Sequence, residues 1–164
     1  VFVAAVAAEL ILLLFLYERF AVPIIIIAAA LLSTSAVFIA LWLTGIELNI
    51  TAMMGMTMII GIGTEMAIFY VSEYQALARR MPQRAALVEA SRNRLRPITM
   101  TTLAAILTLL PLALAIGPGS AMQQPLAVAI IAGLALQFPM VVLALPAALS
   151  LTLPRAQRRA DGAG

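Results

Sequence analysis

The sequence has no cysteine, no histidine and no lysine. Without cysteine there are no disulfides, no thiolate metal sites and no sulfur nucleophile. Without histidine the commonest metal ligand and general base is gone. Charge is also scarce: only 10% of the 164 residues are charged, and 64% are hydrophobic. Soluble domains carry about 25% charged and roughly 45–50% apolar residues. A chain this short leaves much of its surface exposed, and here too little polar matter exists to cover it. A soluble globular domain and a disordered chain are both excluded, and an integral membrane protein remains. The ten basic residues are all arginine. They sit between apolar runs rather than across one folded face, which argues against a nucleic-acid partner and for membrane lipid. Val1 already lies inside an apolar run with no signal peptide ahead of it, so the chain reads as a piece of a longer protein.

A membrane-spanning helix needs about 20 apolar residues. Five stretches qualify or nearly do: 1–17, 22–44, 50–76, 97–116 and 124–151. They predict an all-α integral membrane protein, a bundle of five transmembrane helices over 1–153 with a tail at 154–164. Pro23 and Pro97 fall in first turns, where a missing N–H does no harm. Pro111, Pro139 and Pro146 fall inside spans and predict kinks or hinges.

The connections predict orientation. Arg19 lies in the first, six arginines lie in the basic connection 77–96, and Arg155, Arg158 and Arg159 lie in the tail. The connections at 45–49 and 117–123 carry no arginine. Arginine excess marks the cytoplasmic side. The N-terminus is therefore expected in the periplasm and the C-terminus in the cytoplasm. Within 77–96, the run after Pro82 predicts a short helix at the membrane interface, read chiefly as a positive-inside anchor.

Glu65 is the leading candidate for chemistry. It lies about 15 residues, roughly 22 Å, along the third span. An acid at mid-membrane costs about 2.5–3.5 kcal/mol on insertion scales. Such a residue should face a partner or a wet cavity, and by default marks function; the competing reading is a neutral, hydrogen-bonded structural glutamate. Met58, Gly61, Glu65, Phe69 and Ser72–Glu73 share one helical face. Gly61 and Gly63 would permit close neighbours and predict a third span at the bundle centre. On the fourth span Thr101 and Thr108 are seven apart, and Arg94 joins their stripe if the helix begins before Pro97. Back-bonding to helix carbonyls is the competing reading for both threonines. Glu9 is a second candidate acid at membrane depth. Eight methionines lie in or beside spans; they read as adaptable packing, with a thioether path for soft cations as the other reading. No nucleophile–base pair points to an enzyme, and no cofactor or metal site is expected.

Three stretches carry a family resemblance: TAMMGMTMIIGIGTEMAIFYVSEYQ, SRNRLRPITMTTLAAILTLLPLAL and GPGSAMQQPLAVAIIAGL. With YERFAVP at the end of the first span, they occur in one order across nearly the whole chain. They resemble the resistance-nodulation-division (RND) efflux permeases, over the eighth to twelfth transmembrane helices. The resemblance implies most of one repeat of the membrane domain of a proton/substrate antiporter in the bacterial inner membrane. It implies a homotrimer, formed with the remainder of the permease, working with a periplasmic adaptor and an outer-membrane channel. Residue by residue, it puts Glu65 at the charged position of the proton relay. Arg94 matches the first arginine of an arginine-x-arginine-proline motif, and Thr101 the threonine after it. Glu9, Glu73 and Thr108 stand as secondary candidates. Drug-exporting members usually carry lysine where Glu65 stands, whereas heavy-metal exporters often carry glutamate. Metal exporters also tend to have a lysine in the eleventh helix, which this chain lacks, so both the drug and the metal branch stay open. A lipid or protein-translocation transporter of the same superfamily, and a non-transporting membrane scaffold, are the alternatives.

Overall fold

The computed structural model describes residues 2–17 and 21–152. The expected charges at Glu18 and Arg19 and the tail at 154–164 lie outside the described residues. The order is α1 (Phe2–Tyr17), α2 (Ala21–Thr44), α3 (Ile50–Ala78), α4 (Gln83–Ala113) and α5 (Ser120–Pro139). A π-helical turn (Met140–Ala144) follows and leads into α6 (Leu145–Thr152). No strand occurs among the described residues. Backbone polar groups in lipid must be satisfied within the segment, and helices do this. Four stretches are long and apolar enough to cross a membrane: α2, α3, α4, and the continuous run Ser120–Ala148. The first helix is a shorter apolar one of 16 residues. The outward faces are greasy, with Phe15 89%, Trp42 81% and Leu107 65% exposed. Water would penalise such a surface, whereas a bilayer matches it. The chain is an all-α, multi-pass membrane protein.

Local chemistry ends each helix. The side chain of Asn49 accepts from the Ala52 N–H at 3.0 Å and caps α3. The last turn of α2 closes through Gly45 at φ +67°. Gly45 N–H donates to Trp42 O at 3.3 Å and Ile46 N–H to Leu41 O at 3.0 Å, the paired bonds of a Schellman cap. The end of α4 repeats both bonds, from Ala115 N–H to Leu112 O and from Ile116 N–H to Pro111 O. There the left-handed position, φ 54°, is held by Ala115 rather than glycine. A non-glycine residue in this region costs about 1–2 kcal/mol. Ala115→Gly is expected to raise stability by up to about 1 kcal/mol, after glycine's own entropy cost is subtracted. Thermal unfolding in detergent checks it. Gln124 at the start of α5 donates its Nε2 to Ala113 O at 2.9 Å and satisfies another end carbonyl of α4.

The core is a seam between α3 and α5. Gly55 meets Ala129 and Leu126, Gly63 meets the amide of Gln137, and Gly133 meets Ile59. Small residues let membrane helices approach this closely. Of the two glycines before Glu65, only Gly63 is used so; a Cβ on Gly61 would meet nothing within 4 Å. At one end of the seam Val37, Leu41, Ala52, Met56 and Val128 pack together. At the other, Leu13, Ile26, Tyr70, Val71, Leu87 and Leu145 do so.

Two expectations change. The helix containing Pro97 does not begin there: α4 starts at Gln83 and runs through both Pro97 and Pro111. The segment expected as a separate interfacial helix is the first half of α4. Its Ala86, Leu87 and Ala90 are buried against α3, where Tyr70, 1% exposed, bonds Ser91 at 2.8 Å. That packing outweighs the preference of proline for a first turn. Tyr70→Phe should cost about 1 kcal/mol, the ordinary net worth of a hydrogen bond, read as a lower melting temperature in detergent. The second change is that Glu65 faces outward. The seam takes the opposite face of α3 and leaves Gly61, Glu65 and Phe69 exposed.

Candidate functional site

Glu65 sits on the open stripe of α3, flanked by α4 on one side and α1 on the other. On the α4 side a cleft of ≈ 230 Å³ is lined by Ile62, Glu65, Met66, Phe69, Arg94, Pro97, Ile98 and Thr101. Because α4 is continuous through Pro97, Arg94 and Thr101 lie two turns apart on one face of it. The three residues singled out in the sequence thus come to one cleft.

Their bonding is specific. Arg94 Nη2 pairs with Glu73 Oε2 at 3.2 Å. Asn93 Nδ2 donates to Glu73 Oε1, also at 3.2 Å. The guanidinium lies 5.5 Å from the centre of the Phe69 ring, within cation–π range. Its Nε is buried without an acceptor. Glu65 has no hydrogen-bond or ion-pair partner among the described residues. Arg94 makes no direct bond to Glu65 and pairs with Glu73 instead. Thr101 Oγ1 donates to Pro97 O at 2.9 Å and Thr108 Oγ1 to Ala104 O at 2.7 Å. Both hydroxyls back-bond to their own helix, which leaves their lone pairs free to accept. Thr101 lines the cleft, whereas Thr108 lies two turns further along the same α4 stripe and does not.

On the α1 side a second cleft, ≈ 380 Å³, joins Glu9 and Glu65 with Thr57, Gly61 and Thr64. One carboxylate oxygen of Glu9 is buried with no partner. Glu65 is therefore shared by two clefts, one containing a cation and one containing a second acid. Among the described residues no three acidic, cysteine or histidine side chains gather as a metal cage would require.

Sequence reasoning missed Thr57 and Thr64. Their spacing of seven, with Thr64 beside Glu65, was the available signal. It also missed Gln137, 2% exposed, whose Oε1 has no partner. An amide midway along an otherwise apolar run was the signal there. Glu73 was visible only as a secondary candidate, because its partner sits 21 residues away on another helix.

Two solved structures, both crystal structures of a heavy metal efflux pump, resemble the chain. Crystal form II matches with a TM-score of 0.76 and 30% identity, covering 92% of this chain and 14% of that one. Crystal form I matches with a TM-score of 0.73 and 33% identity, covering 89% and 14%. The chain thus spans about one seventh of those pumps. The model of the AcrB/AcrD/AcrF family matches residues 1–151. That match takes in all of α1 to α5 and both clefts around Glu65, and the chain belongs to the AcrB/AcrD/AcrF family.

Proposed function

We propose that this chain supplies five membrane helices and part of the proton relay of an RND exporter, which couples inward proton flow to outward transport. The observation that carries the reading is the shared cleft of Glu65, Arg94 and Thr101. An ionisable group in a membrane helix belongs at a partner or a wet path, and Glu65 lies at the junction of two clefts. Glu65 takes and releases the proton, Arg94 supplies the compensating positive charge, and Thr101 accepts a hydrogen bond in the path. Glu9, with its unpaired buried oxygen, is the second acid of the route on the α1 side.

Metal cations are the proposed substrate. Two observations support them over drugs: the solved pumps that resemble the chain export heavy metal, and Glu65 stands where drug exporters usually carry lysine. The substrate pockets of such exporters lie mostly outside these helices, so the chain contributes energy coupling rather than recognition. The setting is the bacterial inner membrane, with the N-terminus of the chain periplasmic and the arginine-rich stretch 77–96, which includes the start of α4, cytoplasmic; the placement of arginine supports this orientation. The working unit is a trimer with a periplasmic adaptor and an outer-membrane channel.

The test uses everted membrane vesicles carrying the full-length permease. An acid lumen should drive uptake of a divalent or monovalent metal cation, and an uncoupler should stop it. Metal uptake indifferent to the proton gradient would overturn the reading.

A further inference from the structure

The ion pair between Arg94 and Glu73 has a consequence for the relay. Glu65, Phe69 and Glu73 lie at successive steps of four on α3, one above another. Glu65 and Glu73 are therefore roughly 12 Å apart along the axis, with Phe69 midway. Arg94 of α4 has its guanidinium over that middle ring, at 5.5 Å, and is pinned at the far end by Glu73. Its Nε remains buried and without an acceptor. Glu65, at the near end, lines the same cleft as Arg94 and has no hydrogen-bond or ion-pair partner among the described residues. One cation thus faces two carboxylates and can pair with one at a time.

We propose that Glu73 is a positioning residue that parks Arg94 away from Glu65, and that Arg94 moves along the face of Phe69 between the two carboxylates. When Glu65 holds a proton it is neutral, and Arg94 rests on Glu73, its ion-pair partner in the structure. When Glu65 releases its proton, the new carboxylate draws Arg94 across, and Glu73 is left with Asn93. The proton goes to the path and Arg94 carries its positive charge to the site the proton vacated; the cleft, neutral before the proton leaves, then holds one net negative charge, on Glu73. Few other charges compete. On α3 the face holds Glu65 and Glu73 alone; on α4 Arg94 faces them; on α1 Glu9 lies in the opposite cleft. The described parts of α2, α5 and α6 carry no charged residue. Phe69 matters because an aromatic face offers the guanidinium a resting surface in a place with little water.

The inference rests on the proposed relay, and the test separates the two. It uses the full-length permease, imaged by cryo-electron microscopy and assayed for proton-driven metal transport in proteoliposomes. In Glu73→Gln the parking site is neutral, and Arg94 is expected within 4 Å of Glu65. Turnover should fall about tenfold or more with KM for the metal unchanged. Glu73→Asp keeps the charge and should recover at least half of the lost turnover. A merely structural pair would lower thermal stability without this kcat-only loss. Arg94 remaining beside position 73 in Glu73→Gln, or equal turnover in Glu73→Gln and wild type, overturns the inference. Full transport by Glu65→Gln would instead remove the relay reading on which it rests.

Discussion

Glu65→Gln in the full-length permease is expected to lower proton-driven export by about 100-fold or more, the usual scale for losing a positioned proton-transfer group. Folding and membrane level should be unaffected. Glutamine has nearly the shape of glutamate, and Glu65 is exposed on the open face of α3 without a hydrogen-bond or ion-pair partner among the described residues. These same facts separate the readings of this residue. A structural glutamate would be buried and satisfied, and its loss would appear as instability. A relay glutamate is accessible and unpaired, and its loss appears as lost turnover in a stable protein. Transport in reconstituted vesicles and thermal unfolding of the same preparations measure the two quantities side by side. Normal export by a well-folded Glu65→Gln permease would leave a scaffold role for this chain.

Gly63→Leu should lower stability by about 1–3 kcal/mol. Even a Cβ at Gly63 would overlap the side-chain amide of Gln137, itself almost fully buried at 2% exposure. Overfilling a packed interior costs about 1–3 kcal/mol for added methylenes alone. Here the displaced group is the end of the Gln137 side chain, already buried, and it has to find new room inside the seam. The seam between α3 and α5 would have to open, and Gly55 and Gly133 hold that seam as well. Gly61→Ala is the control. Its Cβ points into open space, so stability should stay within about 0.5 kcal/mol. Both are read as shifts in the unfolding temperature of the solubilised protein. Equal effects at the two glycines would mean that the seam does not run through Gly63.

Legibility in the sequence followed the strength of each physical constraint. Lipid excludes unsatisfied backbone, so apolar runs announced the helices, and the rarity of charge inside the spans made Glu65 conspicuous; Arg94, one of six arginines in 77–96, stood out only by its spacing from Thr101 and by the family resemblance. Proline misled where local preference and packing disagreed. Pro97 looks like a first-turn residue, yet Ala86, Leu87 and Ala90 pack well enough on α3 to carry the helix back to Gln83. The prolines of the last span did have a local effect: a π turn follows Pro139 directly, where the helix must re-route its bonds around missing N–H groups.

By itself, the sequence determined the membrane as solvent, the helical class, the number of apolar runs and the candidates at membrane depth. Each follows from composition and short-range periodicity, which need no knowledge of which helix neighbours which. Only the tertiary structure decided that Gly63 rather than Gly61 makes the close approach. It also turned Glu65 to the open face between two clefts and paired Arg94 with Glu73. Those outcomes depend on the rotation and register of one helix against another. A rotation of 100° per residue separates Gly61 from Gly63 by more than half a turn, and no local pattern says which of the two faces the seam will take.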